Sequence, residues 1–365
     1  MQSLTDSWDW ARRRQRYEAW WRGELDSPLL QVTAPRGPAE AETPPTDPAG
    51  LLRWFTDPDC VIPRLERQLE ATFFAGDAFP LAFPVSGSLA AIQAAYLGCP
   101  YQIAPDSLSG WSEPIWLDGQ AAPSLEMDWE NIWWQHTQRL LAAGAQASRG
   151  RYAVGLPDLQ GGGEILAQLR GAENLARDLY DAPEQVLPAI EAINRAWLRC
   201  YQACFAILHP ATSGYVDWLG IWSETPAVTV ECDFSVMVSP HMFRRFFLPA
   251  VEQQIAWVGR AVFHLDGPGE LPHLEMLLAL EGLRAIQWVP LPGQSQVEWL
   301  PLLQKIQAAG KGLALACQPE EVKVLCAELQ PGGLLLSTSC PSVEAAARLV
   351  DEILPRRGDG FHSPV

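Results

Sequence analysis

The chain has 365 residues, of which 48% are hydrophobic, and its 43 acidic and 26 basic residues give a formal net charge of -17. This acidity, without a local basic patch, argues against binding to nucleic acid or to anionic membrane surfaces, so a small molecule is the expected partner. No apolar run approaches the roughly 20 residues needed to cross a bilayer. The N-terminus lacks the basic and apolar regions of a signal peptide, which predicts a cytoplasmic location.

The predicted elements follow a regular order. Residues 5–24 predict a first helix, within an N-terminal helical extension of residues 1–27. Eight short apolar runs then predict strands, mostly separated by helical patterns: 28–33, 79–85, 152–156, 215–220, 261–265, 285–289, 312–317 and 333–337. This alternation predicts the α/β class and a single (β/α)8 TIM barrel, in one domain that spans residues 1–365.

The fifth predicted strand ends in a chemically distinctive stretch. His264 and Asp266 stand two residues apart, before the turn-forming residues 267–269. Side chains at positions i and i+2 of a strand point to the same side, so the imidazole and the carboxylate can converge for metal binding or proton transfer. The alternative is that His264 is a hydrogen-bonded core histidine and Asp266 caps the following helix.

In a (β/α)8 barrel the residues just past the strand ends gather at one mouth, where the active site lies. Asp233, His264 and Asp266 are the predicted catalytic residues there. The predicted substrate contacts are Arg36, Asp158, Glu224, Gln287 and Trp288. Cys340, just past strand eight, shares this rim, so His264, Asp266 and Cys340 together offer the N, O and S donors of a zinc site. The eight cysteines contain no C-x-x-C pair and are otherwise expected to be free thiols.

Several motifs resemble those of a known family. They are His264-Leu-Asp-Gly267, the pair Gln287-Trp288, and the stretches 335–340, 233–249 and 20–30. In this order they resemble the uroporphyrinogen decarboxylase superfamily, which includes the cobalamin-dependent methyltransferases that act on coenzyme M. The resemblance covers most of the chain and implies one barrel with its site at the C-terminal ends of the strands.

The chain departs from both branches of that superfamily. The methyltransferase branch carries a zinc motif His-x-Cys-Gly and a later cysteine; His264 and Cys340 match it, whereas Asp266 replaces the first cysteine. The decarboxylase branch carries an arginine-rich loop after strand one, where this chain has only Arg36. We therefore expect a divergent member that does not decarboxylate uroporphyrinogen efficiently, since one arginine cannot neutralise a polycarboxylate.

Three functions follow as hypotheses. In the first, a methyltransferase-type enzyme uses zinc to activate its substrate, and a corrinoid such as methylcobalamin, carried on a corrinoid protein, supplies the methyl group. In the second, a decarboxylase or lyase acts on a small or tetrapyrrole-like carboxylate, with Asp233 or Asp266 as acid or base and His264 positioning it. The third is a non-catalytic ligand-binding barrel. The oligomeric state is left open, a homodimer included.

Overall fold

The computed structural model describes residues 8–37, 42–90, 92–104 and 108–354. Its strands are β1 (Leu29–Pro35), β2 (Thr72–Gly76), β3 (Leu81–Ala82), β4 (Tyr101–Ile103), β5 (Gly110–Ser112), β6 (Ala153–Val154), β7 (Tyr215–Val216), β8 (Trp222–Ser223), β9 (Val228–Glu231), β10 (Ala261–Asp266), β11 (Leu283–Val289), β12 (Gly312–Ala316) and β13 (Leu334–Ser339). Seven of them form one sheet in the order β2-β1-β13-β12-β11-β10-β9. Six of the seven run parallel, and β2 pairs antiparallel to β1.

Fourteen α-helices are assigned within the described ranges. They are α1 (Trp8–Arg22), α2 (Pro48–Thr56), α3 (Pro58–Glu70), α4 (Gln93–Tyr96), α5 (Ile132–Ser148), α6 (Gly162–Arg170), α7 (Ala172–Asp181), α8 (Pro183–Thr212), α9 (Pro240–Phe246), α10 (Leu248–Val258), α11 (Leu274–Leu278), α12 (Leu300–Ala308), α13 (Val322–Glu328) and α14 (Val343–Ile353). Four 3₁₀ helices, Gly87–Leu89, Asp233–Met237, Pro268–His273 and Gln296–Trp299, lie among them. Within these ranges, no helix is both long enough and apolar enough to cross a membrane. The predicted helix over 5–24 is confirmed from Trp8 onward, while residues 1–7 lie outside the described part.

The strand pairings show a mixed α/β fold built on a parallel sheet, but among the described residues they do not close into a barrel. Three further pairs, β3–β6 (parallel), β4–β5 and β7–β8 (both antiparallel), stand apart from the large sheet. Two of these pairs are linked by a hydrogen bond from the backbone N–H of Leu156 to the carbonyl of Val216, 2.8 Å long. The Trp218 indole then donates to the carbonyl of Thr229, at 3.4 Å, which brings the end of β7 beside β9.

The prediction for the fourth strand is confirmed only in its first two residues. Residues 215–220 were expected to enter the parallel sheet, but only Tyr215 and Val216 are extended, and they pair antiparallel with β8. Gly220 has a φ of +80°, which lets the chain turn back between the two strands. The place beside β10 is taken instead by β9, in which all four residues are buried.

One apolar cluster joins α1 to the amino-terminal parts of the strands. Eight strands each contribute one side chain to it: Leu29, Ala153, Val216, Trp222, Val262, Ala285, Ala314 and Leu335. Trp10, Tyr17, Trp20 and Trp21 of α1 pack against them. Because side chains alternate along a strand, the residue two positions further on lies on the same side, nearer the carboxyl end. These residues are His264 on β10, Gln287 on the neighbouring β11 and Ser337 on β13, which lies beyond β12.

Asp77 holds α1 against β1. Its carboxylate accepts a 2.6 Å hydrogen bond from Arg16 of α1 and a 2.8 Å hydrogen bond from the backbone N–H of Leu30. The side chain of Asp77 is only 3% exposed and that of Arg16 only 16%. The ion pair is therefore shielded from water, and loss of one partner leaves a buried charge unpaired.

We predict that Asp77→Ala lowers the free energy of unfolding by about 3 kcal/mol or more, because it removes the carboxylate that pairs with Arg16 and accepts from the Leu30 N–H. Urea denaturation measures the change. The matched control is Glu352→Ala, which removes the exposed ion pair with Lys323 and is expected to cost less than about 1 kcal/mol. Equal losses for the two variants would contradict the proposed anchoring of α1.

Candidate functional site

Two neighbouring parallel strands end in side chains that meet. His264 of β10 lies opposite Glu231 of β9 on one side and opposite Gln287 of β11 on the other. The 3₁₀ helix that follows β9 begins at Asp233 and turns its carboxylate toward the same point. One ligand atom from each of Glu231, Asp233 and His264 lies within 4.8 Å of the other two. We call these three residues the ligand triad.

The orientation of the His264 ring is fixed by its neighbours. Its Nδ1 lies 2.5 Å from Oε1 of Gln287, and since an amide oxygen only accepts, Nδ1 carries the proton and donates it. The Nε2 atom is left facing Asp233, with 4.0 Å between Nε2 and Oδ1. Trp218 packs edge to face against the imidazole, with 5.3 Å between the ring centroids. Metal-binding histidines are commonly oriented by such a hydrogen bond from the second ring nitrogen.

Further carboxyl groups surround the triad. Asp158, Glu164, Glu231, Asp233 and Glu270 interact electrostatically with one another, and we call them the acidic cluster. In the described part of the chain, none of the five forms an ion pair with a lysine or arginine. Three of their oxygen atoms, Oε2 of Glu164, Oδ1 of Asp233 and Oε1 of Glu270, are buried without a hydrogen-bond partner there.

Burial shifts the titration of the whole acidic cluster. It raises the pKa of Asp158 to about 6, that of Glu164 to about 7 and that of Glu270 to about 9. Burial also raises the pKa of Glu231 well above its ordinary value, with repulsion from the other carboxylates adding to the effect. The pKa of Asp233 is raised by burial, although nearby His264 opposes the shift. The cluster is thus stable only when protons or a bound cation offset its negative charge.

The predicted set His264, Asp266 and Cys340 does not come together at ligand distance among the described residues. Asp266 is exposed at the end of β10, and its backbone N–H donates to Glu270. Cys340 is buried in the apolar core between the sheet and the helices, and its backbone N–H donates to the carbonyl of Thr33. Burial raises the pKa of the Cys340 thiol. The structure instead groups His264 with Glu231 and Asp233.

The predicted substrate contacts separate into two groups. Asp158 lies in the acidic cluster and Gln287 holds His264, so both belong to the site described above. Glu224 lies against α1, because its backbone N–H donates to the carboxylate of Glu18. Arg36 stacks its guanidinium over Phe73 and donates to the carbonyl of Thr72.

Trp288 also lies away from the triad. It is buried on the side of β11 opposite to Gln287, where its ring packs against Trp299 at 4.8 Å between centroids. Alternation along β11 explains this placement, because consecutive side chains face opposite sides of a sheet. Any contact of Trp288, Glu224 or Arg36 with substrate remains a prediction.

Sequence reasoning did not single out Glu164, Glu231 or Glu270 as site residues. Glu231 sits inside an apolar run, where a lone carboxylate is unusual because burial of an unpaired charge is costly. Glu164 follows three glycines, and Gly161 and Gly163 pack closely against residues 231–234. Acidic residues embedded in apolar strands or next to close-packed glycines were thus the available signals.

A cavity of about 830 Å³ opens at the carboxyl ends of β1, β12 and β13. Thr33, Ala316 and Ser337 line it from these strands, and the loop after β11 forms another wall. Leu219 and Gly220 also line it. These two residues directly follow Trp218, which contacts His264, so one loop joins the cavity wall to the triad, although no triad residue lines the cavity.

Comparison with known proteins identifies a fold but no family. No family model and no curated protein sequence matches the chain. Among solved structures, a methyltransferase from Methanosarcina mazei is similar, with a TM-score of 0.57 over 93% of this chain and 98% of that chain. The sequence identity is 13%. At that level the similarity shows a shared overall fold and leaves the function to be argued from the site.

We predict that the metal-free protein loses stability as pH rises from about 5 to about 9. Burial raises the pKa of Glu270 from 4.5 to about 9, so the folded protein binds this proton more tightly than the unfolded chain does. The resulting stabilisation is complete below pH 4.5 and is lost as pH rises toward 9.

Glu270→Gln, measured by urea denaturation in the presence of a chelator, is expected to flatten this pH dependence and to stabilise the protein at pH 9. The exposed Glu126→Gln is the control, which should leave the slope unchanged. Parallel curves for Glu270→Gln and the parent protein would show that Glu270 does not hold a proton at neutral pH.

Proposed function

We propose that the chain is a metal-dependent enzyme of the methyltransferase type, in which the ligand triad holds a divalent cation. Zinc is the first candidate. The observation that carries the proposal is the convergence of Glu231, Asp233 and His264 within 4.8 Å at the ends of adjacent strands. The shared fold with a methyltransferase supports the reaction class.

The residues present fit zinc on three counts. Imidazole nitrogen and carboxylate oxygen are both zinc ligands, and the triad supplies the three protein ligands of a catalytic zinc site, which keeps a further position open for water or substrate. Gln287 fixes the tautomer that leaves Nε2 of His264 free to bind. The buried, unpartnered Oδ1 of Asp233 would gain a partner. Without a thiolate the set is harder than the motif of the methyltransferase branch, so manganese or iron is the alternative ion.

When bound, the ion would act as a Lewis acid that polarises the substrate or lowers its pKa. The protein side chains have separate tasks. Glu231, Asp233 and His264 hold the ion, and Gln287 orients His264. Glu164, with a pKa raised to about 7 by burial, can hold or release a proton beside the triad near neutral pH. Trp218 shields one face of the imidazole from water.

We further propose that the sheet and the separate strand pairs together form a distorted (β/α)8 barrel with its mouth at the triad. The inner apolar cluster supports this arrangement, because it takes one residue from each of five strands of the large sheet and from each of three strands of the separate pairs. A corrinoid, supplied on a partner protein, is the proposed methyl donor, and a small molecule in the adjoining cavity is the proposed acceptor. Both rest on the resemblance of fold and motifs.

A decarboxylase or lyase is the second candidate. The raised pKa values of Glu164 and Glu270 favour it, because a carboxyl group that stays protonated near neutral pH can serve as a general acid. In that case Asp233 would act as the base and His264 would position it. Such an enzyme would need no bound metal ion.

Metal content separates the two candidates. We predict about one zinc per chain after equilibration with zinc and removal of excess, and loss of it in His264→Ala and Asp233→Ala. Cys340→Ala is expected to keep its zinc, because its thiol lies outside the triad. Gln287→Ala should bind zinc about 10- to 100-fold more weakly, since it removes the group that orients His264. His136→Ala, on α5, is the matched histidine control.

Activity is measured as transfer of the methyl group from methylcobalamin to a small thiol, followed by the change in corrinoid absorbance. The zinc-loaded parent should show transfer. His264→Ala should lower the rate of transfer by at least about 100-fold, because it removes a ligand of the ion that activates the substrate. Absence of zinc, manganese and iron from the parent protein after equilibration with each ion, or an unchanged metal content in His264→Ala, would overturn the metal-dependent proposal and favour the decarboxylase or lyase.

A further inference from the structure

The lining of the 830 Å³ cavity, here called the mouth cavity, is neutral almost throughout. One wall is apolar and includes Phe74, Phe79 and Phe83. The remaining walls carry amide and hydroxyl groups, among them Gln31, Thr33 and Ser339. No lysine, arginine or histidine lines the cavity within the described ranges. Arg36 is not among the lining residues, and its guanidinium is engaged with Thr72 and Phe73.

Within the described ranges, Glu321 is the one charged side chain of the lining, and its carboxylate already accepts hydrogen bonds from the protein. Its carboxylate accepts hydrogen bonds from the hydroxyl of Ser295 and, at 2.7 Å, from the backbone N–H of Gln318. Burial alone would raise the pKa of Glu321, but these hydrogen bonds outweigh it and hold the pKa below its ordinary value. The lining therefore presents a fixed negative charge with no cation to offset it.

The position of the cavity connects it with the ligand triad. Gln31 of β1 lies opposite Ser337 of β13, and both line the cavity. The side-chain amide of Gln31 also donates, at 3.0 Å, to the carbonyl of Gly220. Gly220 lies two residues after Trp218, whose ring packs on His264. One loop thus joins the wall of the cavity to the side chain that packs on His264.

We infer that the mouth cavity takes an uncharged molecule with an apolar part and hydroxyl or amide groups, and that it excludes carboxylates, phosphates and sulfonates. An anion that enters the cavity would give up hydration at its walls without gaining a cationic partner, which is unfavourable. Sites for such anions ordinarily contain arginine or lysine. A neutral molecule can instead exchange its water contacts for the amides and hydroxyls of the walls.

The inference concerns the molecule on which the proposed ion acts, and in that respect it rests on the proposed function. Cys317 allows a test that requires neither metal nor turnover, because it lines the cavity and is partly exposed. Three methanethiosulfonate reagents of similar size, carrying a 2-hydroxyethyl, a 2-sulfonatoethyl or a 2-aminoethyl group, label the thiol. Mass spectrometry of peptides gives the rate at each cysteine, and the partly exposed Cys60 of α3 serves as the reference.

Burial raises the pKa of the Cys317 thiol to about 12, which slows all three reagents alike. Ratios between reagents, normalised to Cys60, therefore report the charge preference of the cavity. We expect the hydroxyethyl reagent to react at least about 10-fold faster than the sulfonatoethyl reagent at Cys317. A sulfonatoethyl rate equal to or above the hydroxyethyl rate would overturn the inference. An aminoethyl rate more than about 10-fold above the hydroxyethyl rate would overturn it as well, by showing a site for cations.

Paired variants test whether the absence of a cation from the lining causes the slower reaction of the sulfonatoethyl reagent at Cys317. Ser339 lines the cavity at its exposed rim. Ser339→Arg should raise the sulfonatoethyl rate at Cys317 by about 10-fold, whereas Ser339→Gln, long but neutral, should not. Equal rates in the two variants would contradict the electrostatic explanation. Because no metal is involved, loss of zinc binding or of methyl transfer overturns the proposed function without affecting this result.

Discussion

The cost of burying carboxylates without cations is the constraint on which this structure depends. Five carboxyl groups converge at the carboxyl ends of β9 and β10 with one imidazole among them, and in the described part of the chain no lysine or arginine pairs with any of the five. A fold keeps such a cluster only if protons or a cation neutralise it. The raised pKa values show that protons can neutralise the cluster, and the ligand triad is the place where a cation could do so.

The rest of the protein supplies the rigidity that this requirement demands. Aromatic side chains of α1 fill the amino-terminal part of the sheet, and the ion pair of Arg16 with Asp77 fixes α1 to β1. His264 and Gln287 each lie two residues beyond a member of this apolar cluster, nearer the carboxyl ends of their strands. His264 and Gln287 meet there because β10 and β11 are paired in a register that sets them side by side.

Much of this arrangement can be predicted from the sequence, but the grouping of ligands cannot. The strand at 261–265 was predictable because an apolar run ends at Gly267, Pro268 and Gly269, and β10 confirms it. Cys340 is the residue after Ser339, so its thiol packs in the apolar core between the sheet and the helices, while Ser339 lines the cavity. Asp233 reaches His264 only because a 3₁₀ helix turns the chain directly after β9. Such turns and cross-strand registers are set by tertiary packing, which local sequence patterns do not encode.

The identity of the atoms around the ion tests the account most directly. X-ray absorption spectroscopy of the zinc-loaded protein measures them, since zinc–sulfur distances are about 2.3 Å and zinc–nitrogen or zinc–oxygen distances about 2.0–2.2 Å. The account predicts a first shell of nitrogen and oxygen atoms only, with the outer-shell scattering of one imidazole. A sulfur atom at about 2.3 Å would contradict it and would point to Cys340 in place of Glu231 and Asp233.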